Sequence, residues 1–220
     1  MLEQGYRPEN FSDGPLVRAM RDGGLLYVEE LNRVPEETVN VLLTVMSEGE
    51  INVPRLGRVA ADESFRLVAA MNPYDSVGTS RLSMALYDRT CRIAVGYQDA
   101  GHERQIVKLA AEHAKQALVT EAVELARATR EHPDLRSGAS VRGAIDYARL
   151  VPELAEIRAV PADDWQAGLD AALTTLSGRV RRHESCSRSA DQIIEEIFRR
   201  VRAAAREAGD PDGGENRPGE

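Results

Sequence analysis

The sequence lacks the marks of a membrane, secreted or metal-binding protein. It has two cysteines, Cys91 and Cys186, without CxxC spacing, so neither a disulfide framework nor a zinc site is indicated. No apolar run approaches the roughly 20 residues that a membrane-spanning helix needs, and the N-terminus lacks the basic and then apolar pattern of a signal peptide. We therefore expect a globular, cytoplasmic protein that does not enter a membrane.

Lysine and net basic charge are also scarce. The formal net charge is -8, which argues against a broad basic surface, so nucleic acid is not an expected partner. The only lysines are Lys108 and Lys115, and neither follows a glycine. The Walker A loop, G-x-x-x-x-G-K-[ST], which cradles the phosphates of a nucleotide, is therefore absent from these 220 residues.

The first half of the chain has the pattern of an α/β fold. Hydrophobic residues make up 42% of the sequence, enough to bury a core. Buried strands are predicted at 25–28, 66–71 and 92–95, helices at 16–20, 35–48 and 82–88, and a hairpin or exposed loop at 51–65. This alternation of strands and helices is typical of a parallel sheet covered by helices.

Only helices are predicted after residue 98. Their periodicity places them at 103–118 and 119–130, from Ser140 to Leu150, from Asp163 or Asp164 to Leu176, and after Ser189, which can cap the last one. We therefore divide the chain into an α/β domain at 1–98 and a helical domain at 99–208. The tail at 209–220 is rich in glycine, proline and acidic residues and is expected to be disordered.

Two acids follow the first predicted strand, in the run LLYVEE at 25–30. Glu29 and Glu30 leave the carboxyl end of that strand, where open α/β sheets place their ligands. In this Walker B arrangement the first acid holds Mg²⁺ and the second polarises the attacking water. A buried strand that ends in two solvated acids gives the same pattern, so the motif depends on its neighbours for its meaning.

Three further side chains extend this hypothesis, and the first two have a structural alternative. Asn72 ends the next strand, where its amide could sense the γ-phosphate or merely form an Asn-Pro turn. Arg89 follows a short helix, where it could act as an arginine finger or pair with the helix dipole. Arg142 lies in the first turn of the helix after Ser140, where the dipole disfavours a cation.

The order of these pieces resembles the MoxR branch of the AAA+ ATPases. The matching segments are GGLLYVEELNRVP at 23–35, GEINVPRLG at 49–57, RLVAAMNP at 66–73, Gly78-Thr79, ALYDR at 85–89 and GASVRGAI at 138–145. The run Gly14-Pro15-Leu16 precedes them, and the match as a whole extends over roughly residues 5 to 150. The resemblance implies a P-loop α/β core, truncated before Walker B, that is followed by an all-helical lid.

The resemblance also implies roles for the five side chains. Glu30 is the catalytic Walker B glutamate, Glu29 the Mg²⁺ ligand in place of the family's usual Asp, Asn72 sensor 1, Arg89 an arginine finger acting in trans, and Arg142 sensor 2. The implied cofactors are ATP and Mg²⁺. The implied assembly is a ring, commonly a hexamer, that remodels or inserts a cofactor into a partner with a von Willebrand factor A domain.

The position of the Walker B motif leads to one more expectation. A Walker A segment should precede Walker B by several tens of residues, and only 24 residues precede Leu25. We therefore expect that the chain is truncated and inactive by itself. Two alternatives remain, a non-catalytic interaction subunit that lends Arg89 to an intact ATPase, and a motor subunit of the magnesium-chelatase type.

Overall fold

The computed structural model describes residues 12–54, 56–72 and 82–209 of the chain. The Gly78-Thr79 segment and nearly all of the predicted disordered tail lie outside these residues. The chain divides into two compact units, residues 1–94 and 95–220. Each unit has its own apolar clusters.

The described residues of the first unit form a parallel pair of strands, a hairpin and three α-helices. Its elements are, in order, α1 (Pro15–Asp22), β1 (Leu25–Val28), α2 (Glu36–Glu48), β2 (Glu50–Val53), β3 (Gly57–Ala60), β4 (Arg66–Ala69) and α3 (Met84–Tyr87). β1 pairs with β4 in parallel, with Leu25 opposite Arg66, and β2 pairs with β3 in antiparallel. These elements confirm the predicted strands at 25–28 and 66–71, the hairpin at 51–65 and the helices around them.

Two glycines set the ends of the helices in this unit. Gly23 and Gly49 follow α1 and α2 with φ of 64° and 67°, a left-handed conformation that glycine adopts without strain. The buried side chains of α2 are Val39, Leu42 and Val45, which form one stripe along the helix. Helix α2 therefore has a fixed end and a fixed face against the sheet.

β1 is buried on one face only, although its continuous apolar run predicted burial on both faces. Leu26 and Val28 pack against an apolar cluster formed with α2 and α3, but Leu25 and Tyr27 are 64% and 54% exposed. Among the described residues, β1 has β4 as its sole strand neighbour. The apolar face that carries Leu25 and Tyr27 is thus left open in this unit.

The prediction of a strand at residues 92–95 is wrong. Residues 90–99 are all described and have no regular secondary structure, and the side chains of Ile93 and Val95 are 86% and 88% exposed. A strand is held by hydrogen bonds to a neighbouring strand, and an alternating apolar pattern does not provide that neighbour.

In the second unit, residues 95–209 form a bundle of five α-helices with one short pair of strands. Its elements are α4 (Ala100–Ala110), α5 (Gln116–Glu131), β5 (Leu135–Ser137), α6 (Val141–Arg158), α7 (Trp165–Leu176), β6 (Arg181–Arg182) and α8 (Ala190–Gly209). β5 and β6 pair in antiparallel, which the sequence did not indicate. The core includes Val123, Tyr147, Ile193 and Phe198, which are all fully buried or nearly so. No helix of the described residues has the length and apolar character needed to cross a membrane.

The predicted caps of two helices are confirmed. Asp164 accepts a hydrogen bond from the backbone N–H of Ala167 at 2.8 Å and begins α7. Ser189 Oγ accepts from the N–H of Gln192 at 3.1 Å, while Oε1 of Gln192 accepts from the N–H of Ser189 at 2.9 Å. This reciprocal capping box fixes the start of α8.

The boundary between α4 and α5 differs from the predicted one. The break lies at residues 111–115 rather than between 118 and 119. Lys108 Nζ donates to the carbonyls of Glu112 and Ala114 at 2.9 and 2.8 Å, which satisfies backbone groups where α4 ends. At the start of α4, the backbone N–H of His102 lowers the pKa of Asp99 to about 2, so this cap persists down to acidic pH.

Gly138→Ala should destabilise the second unit. A Cβ at position 138 would lie 2.5 Å from the backbone nitrogen of Arg130 and 2.6 Å from its Cα. Because backbone atoms must move to admit it, we expect the free energy of unfolding in urea to fall by about 1–3 kcal/mol. Gly178→Ala is the matched control, since a Cβ there meets nothing within 4 Å. Equal stability of the two variants would contradict the close approach of the chain at Gly138.

Candidate active site

The carboxyl end of β1 carries a one-residue bulge. The N–H of Ala70 donates to the carbonyl of Val28 at 2.9 Å, as regular parallel pairing requires. The carbonyl of Ala70 should then accept from residue 30, but it accepts from the N–H of Leu31 at 3.0 Å. The two bonds to Ala70 therefore enclose one residue more than regular parallel pairing allows, and that extra residue is Glu30. Bulges of this kind redirect a side chain and are frequent beside active sites.

The backbone of Glu30 has a left-handed conformation, with φ 54° and ψ 46°. A residue with a Cβ pays roughly 1–2 kcal/mol for this conformation, and such strain concentrates at functional sites. The carboxylate of Glu30 is half exposed and lies 3.2 Å from Nε of Arg33 in the next turn. Glu29 is exposed as well. Both acids of the predicted motif thus stand at the end of the strand and are open to a ligand.

The strain at Glu30 can be measured by comparing two substitutions that both remove the carboxylate. Glu30→Gly should be more stable than Glu30→Ala by about 1 kcal/mol, because glycine adopts the left-handed conformation without a Cβ clash. The free energy of unfolding in urea measures the difference. At a helical position the order is reversed, so a more stable alanine variant would contradict the left-handed backbone at position 30.

Asn72, the predicted sensor 1, lies at the same end of the parallel pair. It follows the last residue of β4 by three positions, and its backbone carbonyl accepts a hydrogen bond from Nδ2 of Asn32 at 3.2 Å. Asn32 comes two residues after Glu30 and is 6% exposed. The fold therefore brings the end of β1 and the segment of Asn72 together, through a side chain that the sequence did not single out.

Arg89, the predicted arginine finger, is exposed at the end of α3. Its Nε donates to Oγ of Ser47 at 2.6 Å, and its Nη1 donates to the carbonyl of Ala85 at 3.0 Å. The hydroxyl of Ser47 in turn donates to the carbonyl of Leu43 on α2. The guanidinium group of Arg89 is thus bonded, through Nε and Nη1, to α2 and α3 of its own unit.

Arg142, the predicted sensor 2, belongs to the second unit. It is exposed in the first turn of α6, and Ser140, at the capping position, makes no side-chain cap bond. The loop before this helix is fixed to α5, because the N–H of Ala139 donates to Oγ1 of Thr129 at 2.8 Å and Nε of Arg130 donates to the carbonyl of Ala139 at 2.8 Å. The backbone that carries Arg142 is therefore well anchored, and its side chain is open to solvent.

The carboxylates at the end of β1 suit a Mg²⁺ ion only when the phosphates of a nucleotide supply part of its coordination shell. Within the described residues no cluster of three or more acidic, histidine or cysteine side chains could hold a metal ion. Protein-bound Mg²⁺ usually takes one or two carboxylates and completes its shell with water and substrate phosphates. Glu29 fits that role as a single carboxylate, and the two acids do not fit a metal site made of protein ligands alone.

Comparison with known families gives a match over the first unit. Residues 2–90, which include Glu29, Glu30, Asn72 and Arg89, match the model of an AAA domain of the dynein-related subfamily. This stretch is similar to an AAA-type domain. The match extends over all four predicted site residues of the first unit, while Arg142 of the helical unit lies outside the AAA-type stretch.

Similar proteins occur in staphylococci. An uncharacterized protein of Staphylococcus epidermidis is 30% identical over 164 residues, and one of Staphylococcus haemolyticus is 29% identical over 164 residues. Each of these alignments covers 72% of this chain and 62% of the relative, so the chain spans about three fifths of the length of the relatives it matches. A solved structure of a candidate ATPase from Cytophaga hutchinsonii is 22% identical with a TM-score of 0.36, and it covers 80% of this chain and 64% of that protein.

Proposed function

We propose that these 220 residues supply the hydrolytic part of an AAA-type ATPase that remodels a partner protein, in the manner of the MoxR branch. The bulged end of β1 carries the proposal, because it sets Glu30 in a strained conformation beside the segment of Asn72. The AAA-type match over residues 2–90 supports it. The phosphate-binding part has to come from a Walker A segment, which is absent from these residues.

In the proposed mechanism, the carboxylate of Glu30 accepts a hydrogen bond from the attacking water and orients it toward the γ-phosphate of ATP. The side chain of Asn72 contacts the same water or the γ-phosphate. Glu29 would hold Mg²⁺, which when bound with ATP neutralises phosphate charge. Since the transition state gathers charge on the phosphoryl oxygens, Arg142 from the lid stabilises it with a fixed positive charge.

Arg89 acts in trans in this proposal. It is exposed, and its guanidinium bonds to Ser47 and Ala85 of its own unit, so acting in trans requires it to leave these partners for the nucleotide site of a neighbouring subunit. An arginine supplied by a neighbour requires an oligomer, and a closed ring gives every subunit one donor and one acceptor interface. We therefore propose a homo-oligomeric ring, a hexamer by resemblance, whose client carries a von Willebrand factor A domain.

The proposal is tested with a Walker A-bearing form, in which the Walker A segment of an AAA-type relative is joined to residue 1. We expect this form to bind ATP and release phosphate in the presence of Mg²⁺, while the 220-residue chain alone does neither. Phosphate release and nucleotide affinity are the measurements. A Walker A-bearing form that binds ATP and does not hydrolyse it would contradict the proposal.

A second candidate function is favoured by the exposure of Arg89, namely an interaction subunit that activates an intact ATPase. Adding the 220-residue chain to a Walker A-bearing relative whose own arginine finger has been removed should then raise the rate of phosphate release. The Arg89→Ala chain should not raise it. Both candidates use Arg89 in trans, so hydrolysis by the Walker A-bearing form separates them, because the first candidate requires Glu30 and the second does not.

A further inference from the structure

The contact between Asn32 and Asn72 joins the two halves of the proposed hydrolytic site. Nδ2 of Asn32 donates to the backbone carbonyl of Asn72 at 3.2 Å, and Asn32 is 6% exposed. A buried amide side chain that bonds to a backbone carbonyl 40 residues away fixes the distance between two segments. The segments here are the turn that follows Glu30 and the end of β4.

Three hydrogen bonds enclose the bulge at Glu30. Before it, Ala70 donates to Val28, and directly after it, Leu31 donates to Ala70. The amide of Asn32 makes the third bond, one residue farther along the turn. A strained residue keeps its conformation only where the surrounding structure over-determines it, and these bonds provide that surrounding structure for Glu30.

The amide oxygen of Asn32 gives a second indication of the role of this side chain. Its Oδ1 is buried and has no hydrogen-bond partner among the described residues. Leaving a buried acceptor unpaired costs roughly 1–3 kcal/mol, so an apolar side chain would be favoured here if packing were the only requirement. The donor bond to Asn72 is therefore made at the cost of an unpaired buried acceptor, which points to a use of this bond other than stability.

We propose that Asn32 is a positioning residue, which holds the segment of Asn72 against the turn of Glu30 so that the two side chains keep one spacing. It does not touch the nucleotide. This inference rests on the proposed function for its catalytic consequence, but its structural part can be tested without nucleotide. The relevant amides are those of Leu31 and Ala70, whose hydrogen bonds flank Glu30.

Hydrogen exchange of the 220-residue chain tests the structural part. Asn32→Asp keeps the shape of the side chain and removes the donor, and Asn32→Ala removes the amide. We expect each variant to speed exchange at the N–H of Leu31 and Ala70 about tenfold. The N–H of Gly49, which bonds to Val45, should be unchanged. Asn40→Asp, at an exposed position of α2, is the control with the same change of charge. It should alter none of these exchange rates.

Hydrolysis by the Walker A-bearing form tests the catalytic part. Both Asn32 variants should lower kcat about tenfold or more and leave KM unchanged, because the lost spacing matters in the transition state and not in binding. Unchanged exchange at Leu31 and Ala70, uniform exchange increases across the unit in both variants, or local increases with an unchanged kcat would each overturn the inference. If the wild-type form does not hydrolyse ATP, the proposed function fails, whereas the exchange rates still decide whether Asn32 holds the two segments together.

Discussion

Glu30→Gln should lower the rate of ATP hydrolysis by the Walker A-bearing form by about 100- to 10,000-fold. The substitution keeps the size of the side chain and removes the charge that orients the attacking water. It also keeps the bulge, because glutamine and glutamate pay the same cost in the left-handed conformation. The affinity for ATP should be unchanged, since the carboxylate acts on water rather than on the nucleotide. Steady-state phosphate release and nucleotide titration measure the two quantities.

Two matched controls make this result specific. Glu37→Gln changes an exposed acid in the first turn of α2 and should leave hydrolysis within about twofold of the wild-type rate. Glu29→Gln should weaken the binding of Mg²⁺, so that its activity is recovered in part at higher Mg²⁺ concentration. Hydrolysis that is unchanged in Glu30→Gln, or lost equally in Glu37→Gln, would remove Glu30 from the mechanism.

Arg89→Ala should lower hydrolysis by a factor of about 1,000 or more, within the range that arginine fingers contribute in trans. The physical reason is that a guanidinium stabilises charge that develops on the phosphoryl group, and alanine leaves that charge uncompensated. Nucleotide affinity should change little. Phosphate release by the Walker A-bearing form measures the effect, and size-exclusion chromatography checks that the oligomer persists.

The control for Arg89 is Arg21→Ala, which removes an exposed arginine of the same unit that pairs with Asp13 at 2.9 Å. It should leave the rate within about twofold of the wild-type value. Arg89→Lys should not restore activity, because an ammonium cannot make the paired contacts of the planar guanidinium. Wild-type hydrolysis in Arg89→Ala would mean that the bonds to Ser47 and Ala85 are the whole role of this side chain.

Local sequence patterns predicted most of the elements that carry the site. The two glycines after α1, the apolar run of β1 and the spacing of Val39 and Leu42 each act over a few residues, so their consequences can be read without knowledge of the rest of the fold. The caps at Asp164 and Ser189 are local for the same reason. The strand expected at 92–95 failed because strand formation depends on a neighbour, which is not a local property.

The arrangement at the end of β1 could not be predicted in the same way. Glutamate has no preference for a left-handed backbone, so nothing in the run LLYVEE indicates the bulge at Glu30. Asn32 reads as an ordinary polar residue of a turn, and its partner Asn72 lies 40 positions away. The sequence therefore indicated the candidate side chains. The pairing of β1 with β4 shows how the segments of Glu30 and Asn72 are held together.

Mixing the two inactive variants tests the central claim most directly. In a ring, Glu30 acts on the nucleotide of its own subunit and Arg89 acts on that of its neighbour. An interface that joins the Arg89→Ala variant to the Glu30→Gln variant in one orientation has both groups intact. In an equal random mixture this holds for about one quarter of the interfaces, one half times one half, so about a quarter of the wild-type rate should return. If the mixture stays as inactive as either variant alone, the two residues do not form a site shared between subunits.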